Sequence, residues 1–280
     1  MLKKMLPIFK DVLTAVIVIL IIVAAMFAYT GVWPPMVVIE SGSMTHDDSP
    51  YGKIGTIDPG DFTFVKKVNN RNDVVTYYQG KKAGYETYSN YGDVIVYIKN
   101  GVGGTPVIHR AMCWVEVNIT EEGVFYDIPE LNYYHLSAIT ITELNLHNYD
   151  PKVNHSGFLT KGDANNGCDQ DSSAGIEDEL GRKVEIVKLE WIVGKAEGEI
   201  PWFGGIKLSV DDWSRGTNNA GNIAQDCWVM LGISVLILFT LPIAADYSFQ
   251  LLSVKKQEKK KKREIELSRL RKVKYTIFRR

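Results

Sequence analysis

The sequence predicts a mainly β domain held between two transmembrane helices. Two long uncharged runs, residues 12–33 and 227–245, predict the helices. Between them, residues 34–226 carry short β-branched and aromatic runs separated by Gly, Asn, Asp and Pro, a pattern typical of an all-β sheet or barrel. With 280 residues, 45% hydrophobic and 23% charged, the chain is too apolar for a wholly disordered protein and long enough for one or two domains.

The first apolar run is long enough to cross a bilayer. As a helix, residues 12–32 span about 31 Å, the thickness of a hydrocarbon core. Lys3, Lys4 and Lys10 precede the run, and Trp33 closes it at the position expected for an interfacial aromatic ring. The run is longer than the apolar region of an ordinary cleaved signal peptide, and no clear Ala-x-Ala site ends it, so we expect a retained anchor.

Charge is strongly segregated along the chain, although the net charge is only −1. Residues 34–226 hold 16 Lys and Arg against 28 Asp and Glu, whereas residues 246–280 hold 13 against 4. The positive-inside rule predicts that residues 1–11 and the basic tail, residues 246–280, are cytoplasmic and that the middle segment is extracytoplasmic. The expected location is a cell membrane crossed twice, or the endoplasmic-reticulum membrane in a eukaryote. The total charge excludes a strongly basic nucleic-acid binder.

Several stretches between the apolar runs predict strands because they are β-branched or aromatic and bounded by turn residues. These are residues 61–65, 93–98, 107–117, 157–160 and 183–193. Two further stretches, near residues 69–91 and 118–155, look like insertions that form either surface loops or small subdomains.

The cysteines and sequons carry limited information. Cys113 and Cys168 both lie in the predicted outer segment, where a disulfide persists, and the sequence leaves open whether they pair or stay as thiols. Asn118 and Asn154 begin N-x-S/T sequons that permit glycosylation. The sequence contains no Cys-x-x-Cys pair or other metal-ligand spacing, and we expect no metal or organic cofactor.

Three short polar segments together hold the groups of a serine-nucleophile hydrolase. Ser43 lies ten residues past Trp33, at most about 36 Å of extended chain from the membrane face. His109 falls in a predicted strand, and residues 159–171 form a polar loop without the ligand spacing of an EF-hand. The carboxylates of this loop are Asp163, Asp169 and Asp171. A hydroxyl needs a base, and the base needs a carboxylate that orients it.

Each segment alone has an ordinary structural explanation. A Ser-Gly-Ser triplet is usually a turn, and a single His on a strand is usually a packed residue. His46 is a second imidazole close to Ser43 in sequence. A base only three residues from its nucleophile rarely has the reach and line of approach, so we favour His109.

In combination, the segments resemble the type I signal peptidases. The sequence SGSM follows the N-terminal anchor, and GDVIVY, VIHR and TKGDANN come after it in that order. The chain is most similar to the archaeal and endoplasmic-reticulum branch, in which His replaces the Lys of most bacterial enzymes. The resemblance covers well under half the chain and implies a signal-peptidase-like, β-rich extracytoplasmic domain.

The resemblance implies a catalytic triad. Ser43, the second serine of SGSM, matches the nucleophile, and His109 matches the general base. Asp169 matches the carboxylate that orients the base, with Asp171 as a local competitor because the register of the loop is uncertain from sequence.

The resemblance also implies supporting groups. Asp163 matches a supporting or structural carboxylate, and the Ser41 hydroxyl and the Ser43 N–H match the donors that bind the oxyanion. The implied activity is that of a membrane serine endopeptidase that removes signal peptides after small residues at the outer membrane face. Its implied partners are secretory preproteins and the lipid bilayer. Membrane partner subunits are compatible with the resemblance, and we expect no nucleic-acid partner.

Other functions fit parts of the sequence. One is a membrane serine protease for a surface-fibre or pilin-like precursor, which differs only in its substrate pockets. Another is a non-catalytic two-span surface protein that uses the β domain for binding. A sortase-like transpeptidase with Cys168 as nucleophile is disfavoured, because the sequence shows no base and Arg pattern that would activate this thiol.

Overall fold

The computed structural model describes residues 2–46, 52–171, 173 and 175–277. The α-helices of these residues are α1 (Leu2–Thr30), α2 (Tyr77–Ala83), α3 (Gly204–Arg215) and α4 (Gln225–Ile277). The strands are β1 (Met36–Val38), β2 (Phe62–Lys66), β3 (Glu86–Thr87), β4 (Asn90–Tyr91), β5 (Val94–Tyr97), β6 (Val107–Thr120), β7 (Gly123–Ile128), β8 (Tyr133–Leu136), β9 (Ile139–Ile141), β10 (Leu146–Tyr149), β11 (Gly157–Lys161) and β12 (Ile192–Ile200).

The chain combines a β sheet with an apolar helix near each end, which confirms the predicted class at the level of a mixed sheet-and-helix fold. It forms two compact units, Met1–Trp228 and Val229–Arg280. Two helical segments, Val12–Thr30 and Gln225–Lys260, are long and apolar enough to cross a membrane. They are consistent with membrane association, whereas the crossing itself and its sidedness remain predictions.

Helix α4 contains the apolar run at residues 227–245 and extends well into the basic tail that follows it. The helix continues without interruption from Gln225 to Ile277. After Pro242 the sequence contains neither Gly nor Pro and is rich in Lys, Glu, Arg and Leu, which all have high helix propensity. The charged residues that begin at Asp246 therefore end the apolar run but do not end the helix.

Eight strands form one antiparallel sheet. Their order is β1-β2-β12-β5-β6-β7-β8, and β11 pairs with β6. The first half of β6 lies between β5 and β11, and its second half pairs with β7. β1 forms one end of the sheet, so one of its edges is not covered by another strand of this sheet.

Four of the five predicted strands are confirmed, at residues 61–65, 93–98, 107–117 and 157–160. The strand predicted at 183–193 is mostly wrong. A short 3-10 turn at Leu189–Trp191 precedes β12, which begins only at Ile192. The earlier part of this stretch pairs with β11 only at one bridge, between Phe158 and Val187.

Both predicted insertions contain ordered structure. Residues 69–91 hold α2 and the β3–β4 hairpin, and Thr76 and Gln79 form a capping box at the start of α2. Residues 118–155 contain the end of β6 together with β7 and β8, which continue the main sheet beyond β6. They also contain the separate β9–β10 pair. The second stretch is therefore partly continuous with the sheet and is not a separate loop.

The core lies on both faces of the sheet around β5, whose four residues are all buried. Such burial is typical of a central strand covered on both sides. Cys113 and Cys168 share one buried cluster, where both are free thiols, and the third cysteine, Cys227, is also a buried free thiol. Burial raises the pKa of Cys168 to about 12. A thiol in this environment is a poor nucleophile, which argues against Cys168 as a catalytic residue.

Asp61 is a buried carboxyl at the start of β2. Its Oδ1 accepts the Trp202 N–H at 2.7 Å, and its Oδ2 accepts the Asp58 N–H at 3.1 Å. Burial, assisted by the nearby charges of Glu199 and Asp58, raises the pKa of Asp61 to about 7. The folded chain therefore keeps a proton between about pH 4 and pH 7 that the unfolded chain releases.

We expect the thermal stability of the detergent-solubilised protein to fall as pH rises through this range. The unfolded state binds fewer protons than the folded state there, so the free energy of unfolding decreases with pH and levels off above about pH 7. Melting curves at about pH 5 and about pH 8 test this. Asp61→Asn, which cannot ionise, is expected to reduce the difference between the two curves, and an unchanged difference would rule out Asp61 as its source.

Candidate active site

Ser43 lies in a tight turn just after β1. The Thr45 N–H and the Thr45 hydroxyl both donate to the Gly42 carbonyl, at 3.1 and 2.8 Å. The next side chain, Met44, is buried in the core beside Ile39. The turn and the buried methionine together fix the direction in which the Ser43 hydroxyl projects.

His109 lies near the start of β6. It pairs with Ile95 of β5, and the next residue, Arg110, pairs with both Val94 of β5 and Lys161 of β11. The loop that follows β11 therefore begins beside His109. The register explains why two segments about fifty residues apart in sequence meet at one site.

The loop after β11 returns towards β6 and contacts the serine turn. The Asp169 N–H donates to the Thr160 carbonyl at 2.8 Å, which brings this aspartate back beside β11. The Ala164 N–H donates to the Ser43 carbonyl at 2.9 Å. A Cβ atom on Gly162 would lie 2.9 Å from His109 Nε2, so the loop approaches too closely for any other residue there.

The side chains of Ser43, His109 and Asp169 form one continuous line of hydrogen bonds. His109 Nε2 lies 2.9 Å from Ser43 Oγ. On the other side of the ring, His109 Nδ1 lies 2.8 and 2.7 Å from the two carboxylate oxygens of Asp169. Both His109 and Asp169 are buried. In this arrangement the carboxylate holds Nδ1–H, which leaves Nε2 free to accept a proton from the hydroxyl.

Two further buried hydroxyls hold the Asp169 carboxylate, and neither was predicted to do so from the sequence. The Tyr97 hydroxyl donates to Asp169 Oδ2 at 2.7 Å, and the Thr160 hydroxyl donates to the same oxygen at 2.6 Å. Burial and the charge of Asp169 raise the pKa of Tyr97 well above its usual range, so its hydroxyl stays a donor. Alternation along β5 places Tyr97 on the face of Ile95, but only the strand register brings that face to His109.

Removing the Tyr97 hydroxyl is expected to lower kcat about tenfold with little change in KM, because a hydrogen bond to the charged group that orients the base is lost. Tyr97→Phe keeps the buried ring, so the fold is retained. Tyr126→Phe is the matched control, since Tyr126 is also buried and donates to a carboxylate, that of Asp150, at 2.6 Å. If kcat for substrate cleavage falls equally in Tyr97→Phe and Tyr126→Phe, Tyr97 acts only on stability.

Asp163 lies outside the hydrogen-bonded line. Its carboxylate accepts from Arg110 through Nε at 2.8 Å and Nη2 at 2.6 Å, and it lies 3.2 Å from His46 Nε2. The rival imidazole of His46 is therefore held against Asp163. Asp171, the other competitor, accepts from the N–H and hydroxyl of Ser173, both at 2.7 Å.

Donors for an oxyanion lie beside the Ser43 hydroxyl. The Ser41 hydroxyl is 3.4 Å from Ser43 Oγ and exposed. Within the described part of the chain, the Ser43 N–H has no acceptor. Of the two donors that the resemblance implies, the Ser41 hydroxyl thus lies beside the nucleophile and the Ser43 N–H belongs to the nucleophilic residue itself.

A groove of about 480 Å³ opens onto Ser43 and His109. One wall is formed by residues 38–41, which continue the uncovered end of the sheet, and the other by residues 105–108, which lead into β6. The lining near both walls is largely apolar. A groove between two extended segments suits an extended peptide, whose main chain adds to an open strand edge.

Comparison of the chain with protein-family models gives no match, and comparison with curated proteins gives none either. The resemblance to type I signal peptidases therefore rests on the sequence motifs. Among the described residues, no group of three or more His, Cys, Asp and Glu side chains is arranged to hold a metal ion.

Proposed function

We propose that the chain is a membrane-bound serine endopeptidase that removes signal peptides from secretory preproteins. The observation that carries the proposal is the line from Ser43 through His109 to Asp169, which opens into the groove. The order of the sequence motifs adds support. The two apolar helices fit an enzyme whose substrate is itself anchored in the membrane.

In the proposed reaction, His109 Nε2 accepts the proton of the Ser43 hydroxyl as Ser43 Oγ attacks the scissile carbonyl carbon. The Ser43 N–H and the Ser41 hydroxyl stabilise the oxyanion; losing one such donor typically raises the barrier by about 2.7–4 kcal/mol. His109 then protonates the leaving amine, and an acyl-enzyme remains on Ser43. Water deprotonated by His109 attacks this ester and releases the signal peptide with a new carboxyl end.

Substrate binding follows from the groove. The cleavage site of a preprotein lies extended along residues 38–41, where main-chain hydrogen bonds hold it without reading its side chains. Selection of small residues beside the bond is implied by the resemblance to signal peptidases. Anchoring enzyme and substrate in one bilayer raises their encounter frequency and limits their orientations.

The test is cleavage of a secretory preprotein by membranes that contain the chain, with the product ends identified by mass spectrometry. Ser43→Ala is expected to abolish cleavage, and Ser214→Ala, which removes an exposed hydroxyl at the end of α3, is expected to retain it. Cleavage after a small residue beyond the apolar segment supports the proposal. Equal cleavage by the Ser43→Ala variant, with host peptidase excluded, contradicts it. Cleavage of a fibre or pilin-like precursor alone would restrict the activity to that substrate class.

A further inference from the structure

The segment that leads to Ser43 is held by the linker between α3 and α4. The Asn222 side-chain amide donates to the Glu40 carbonyl at 3.0 Å, and the Asn219 amide donates to Glu40 Oε2 at 3.1 Å. Glu40 lies three residues before Ser43, and both line the groove. Two asparagines about 180 residues downstream in sequence therefore fix one wall of the candidate active site.

The linker itself is organised by Asp212 of α3. The carboxylate of Asp212 accepts the Asn219 N–H at 2.9 Å, the Ala220 N–H at 2.7 Å and the Thr217 hydroxyl. These hydrogen bonds, that of Thr217 foremost, lower the pKa of Asp212, so the group stays charged and keeps all three donors. The asparagines are thus presented from an ordered turn.

Helix α3 and the linker pack against the sheet end that carries the serine turn. The Gly205 N–H donates to the Gly60 carbonyl at 3.0 Å. A Cβ on Gly204 would lie 2.6 Å from the Val38 side chain of β1, so helix and strand are in close contact. Ile223 at the end of the linker is buried against Gly60 and Gly205. Linker, helix and strand therefore have little freedom to move apart.

The hydrogen bond from Asn222 to the Glu40 carbonyl also sets the orientation of the Glu40–Ser41 peptide group. In a trans peptide the carbonyl and the following N–H point in opposite directions. Because the Glu40 carbonyl points towards Asn222, the Ser41 N–H points away from the linker. Among the described residues this N–H has no acceptor, and Ser41 itself lines the groove.

We propose that Asn219 and Asn222 are positioning residues that hold the Glu40–Ser41 peptide in the orientation that binds the substrate strand. The inference rests on the proposed function, because it assigns the linker a part in that reaction. Neither asparagine touches Ser43 or His109 in the structure; both act through Glu40. Their loss is expected to raise KM about two- to tenfold, the equivalent of one ordinary hydrogen bond, and to leave kcat nearly unchanged.

The experiment compares the full chain with Asn222→Ala, Asn222→Asp and Asn219→Ala in detergent micelles. Asn222→Asp keeps the size of the side chain and removes its donor. Asn218→Ala is the matched control, since Asn218 lies exposed on the same linker and makes no capping hydrogen bond. Preprotein cleavage gives KM and kcat, and hydrogen–deuterium exchange of the peptide that covers residues 36–44 reports the segment directly.

Faster exchange in residues 36–44 together with a raised KM, in the three test variants and not in Asn218→Ala, is the expected result. Unchanged exchange would overturn the inference, and faster exchange with unchanged kinetics would overturn the link to substrate binding. If the unaltered chain cleaves no preprotein, the proposed function fails, whereas the exchange comparison still decides whether the asparagines hold the segment.

Discussion

Replacing both Ser43 and His109 with alanine is expected to lower kcat no further than replacing Ser43 alone. The two side chains act as one unit, joined at 2.9 Å, because the hydroxyl is a weak nucleophile without the base and the base has no proton to accept without the hydroxyl. Losses of about 10⁶-fold for either single variant and about 10⁴-fold for Asp169→Ala are typical of such units. The smaller loss is expected for Asp169 because it orients the base and does not react.

Single-turnover cleavage of a preprotein measures these rates free of product release. His46→Ala tests the rival imidazole and is expected to retain most activity, because His46 contacts Asp163 and not Ser43. His155→Ala is the control for loss of a histidine elsewhere, since His155 lies against Glu185. An additive loss in the Ser43 and His109 double variant would mean that the two residues do not share one proton transfer. A loss in His46→Ala as large as that in His109→Ala would reassign the base.

Local sequence patterns predicted four of the eight strands of the main sheet. Alternating or continuous β-branched runs bounded by turn residues gave β2, β5, β6 and β11, because such runs are favoured in strands wherever the chain buries them. The same rule failed for residues 183–193, where a similar composition forms mostly turns and two isolated bridges, at Lys183 and Val187. Whether a β-branched stretch pairs over its length depends on which strands flank it, and this is set by the whole fold.

From residue chemistry alone the candidate site could be predicted only as a set of residue types, and the family resemblance was needed to favour Asp169. The sequence offered three aspartates within nine residues, and only the path of the loop separates them. Asp169 returns to β11 and meets His109, whereas Asp163 meets Arg110 and Asp171 accepts from Ser173. These contacts depend on hydrogen bonds across the loop and on strand register, neither of which leaves a periodic signal in sequence.

Residues that support the candidate site through another side chain, without touching Ser43 or His109, could not be predicted from the sequence. Tyr97 reaches Asp169 across 72 positions of sequence, and Asn219 reaches Glu40 across 179. A tyrosine in a strand and an asparagine in a polar linker are common, and nothing nearby marks them as distinct. Long-range contacts of this kind become visible only when the fold brings the partners together.

Removal of the Asp163 carboxylate is expected to destabilise the β domain by about 3–5 kcal/mol, the usual cost of leaving one member of a buried ion pair unpaired. Arg110 is completely buried, and Asp163 takes two of its N–H groups in a bidentate arrangement. The remaining Nη1 donates to the Gly92 carbonyl at 2.7 Å. After Asp163→Ala the guanidinium keeps its charge without a counter-ion, because arginine does not lose its proton in a protein.

Denaturant unfolding of the detergent-solubilised chain measures this cost, and Asp211→Ala provides the contrast. Asp211 pairs with Lys207 on the exposed face of α3, so its loss is expected to change stability little. A double variant, Arg110→Met with Asp163→Ala, removes the unpaired charge together with its partner and is expected to be more stable than Asp163→Ala alone. The Arg110→Met single variant completes the comparison. If the double variant is instead less stable than the unaltered chain by the sum of the losses in Asp163→Ala and Arg110→Met, the pair does not interact and Arg110 is held by the backbone carbonyls. Because Arg110 adjoins His109 and Asp163 adjoins Gly162, a true pair also predicts that Asp163→Ala loses activity under conditions in which the fold is still intact.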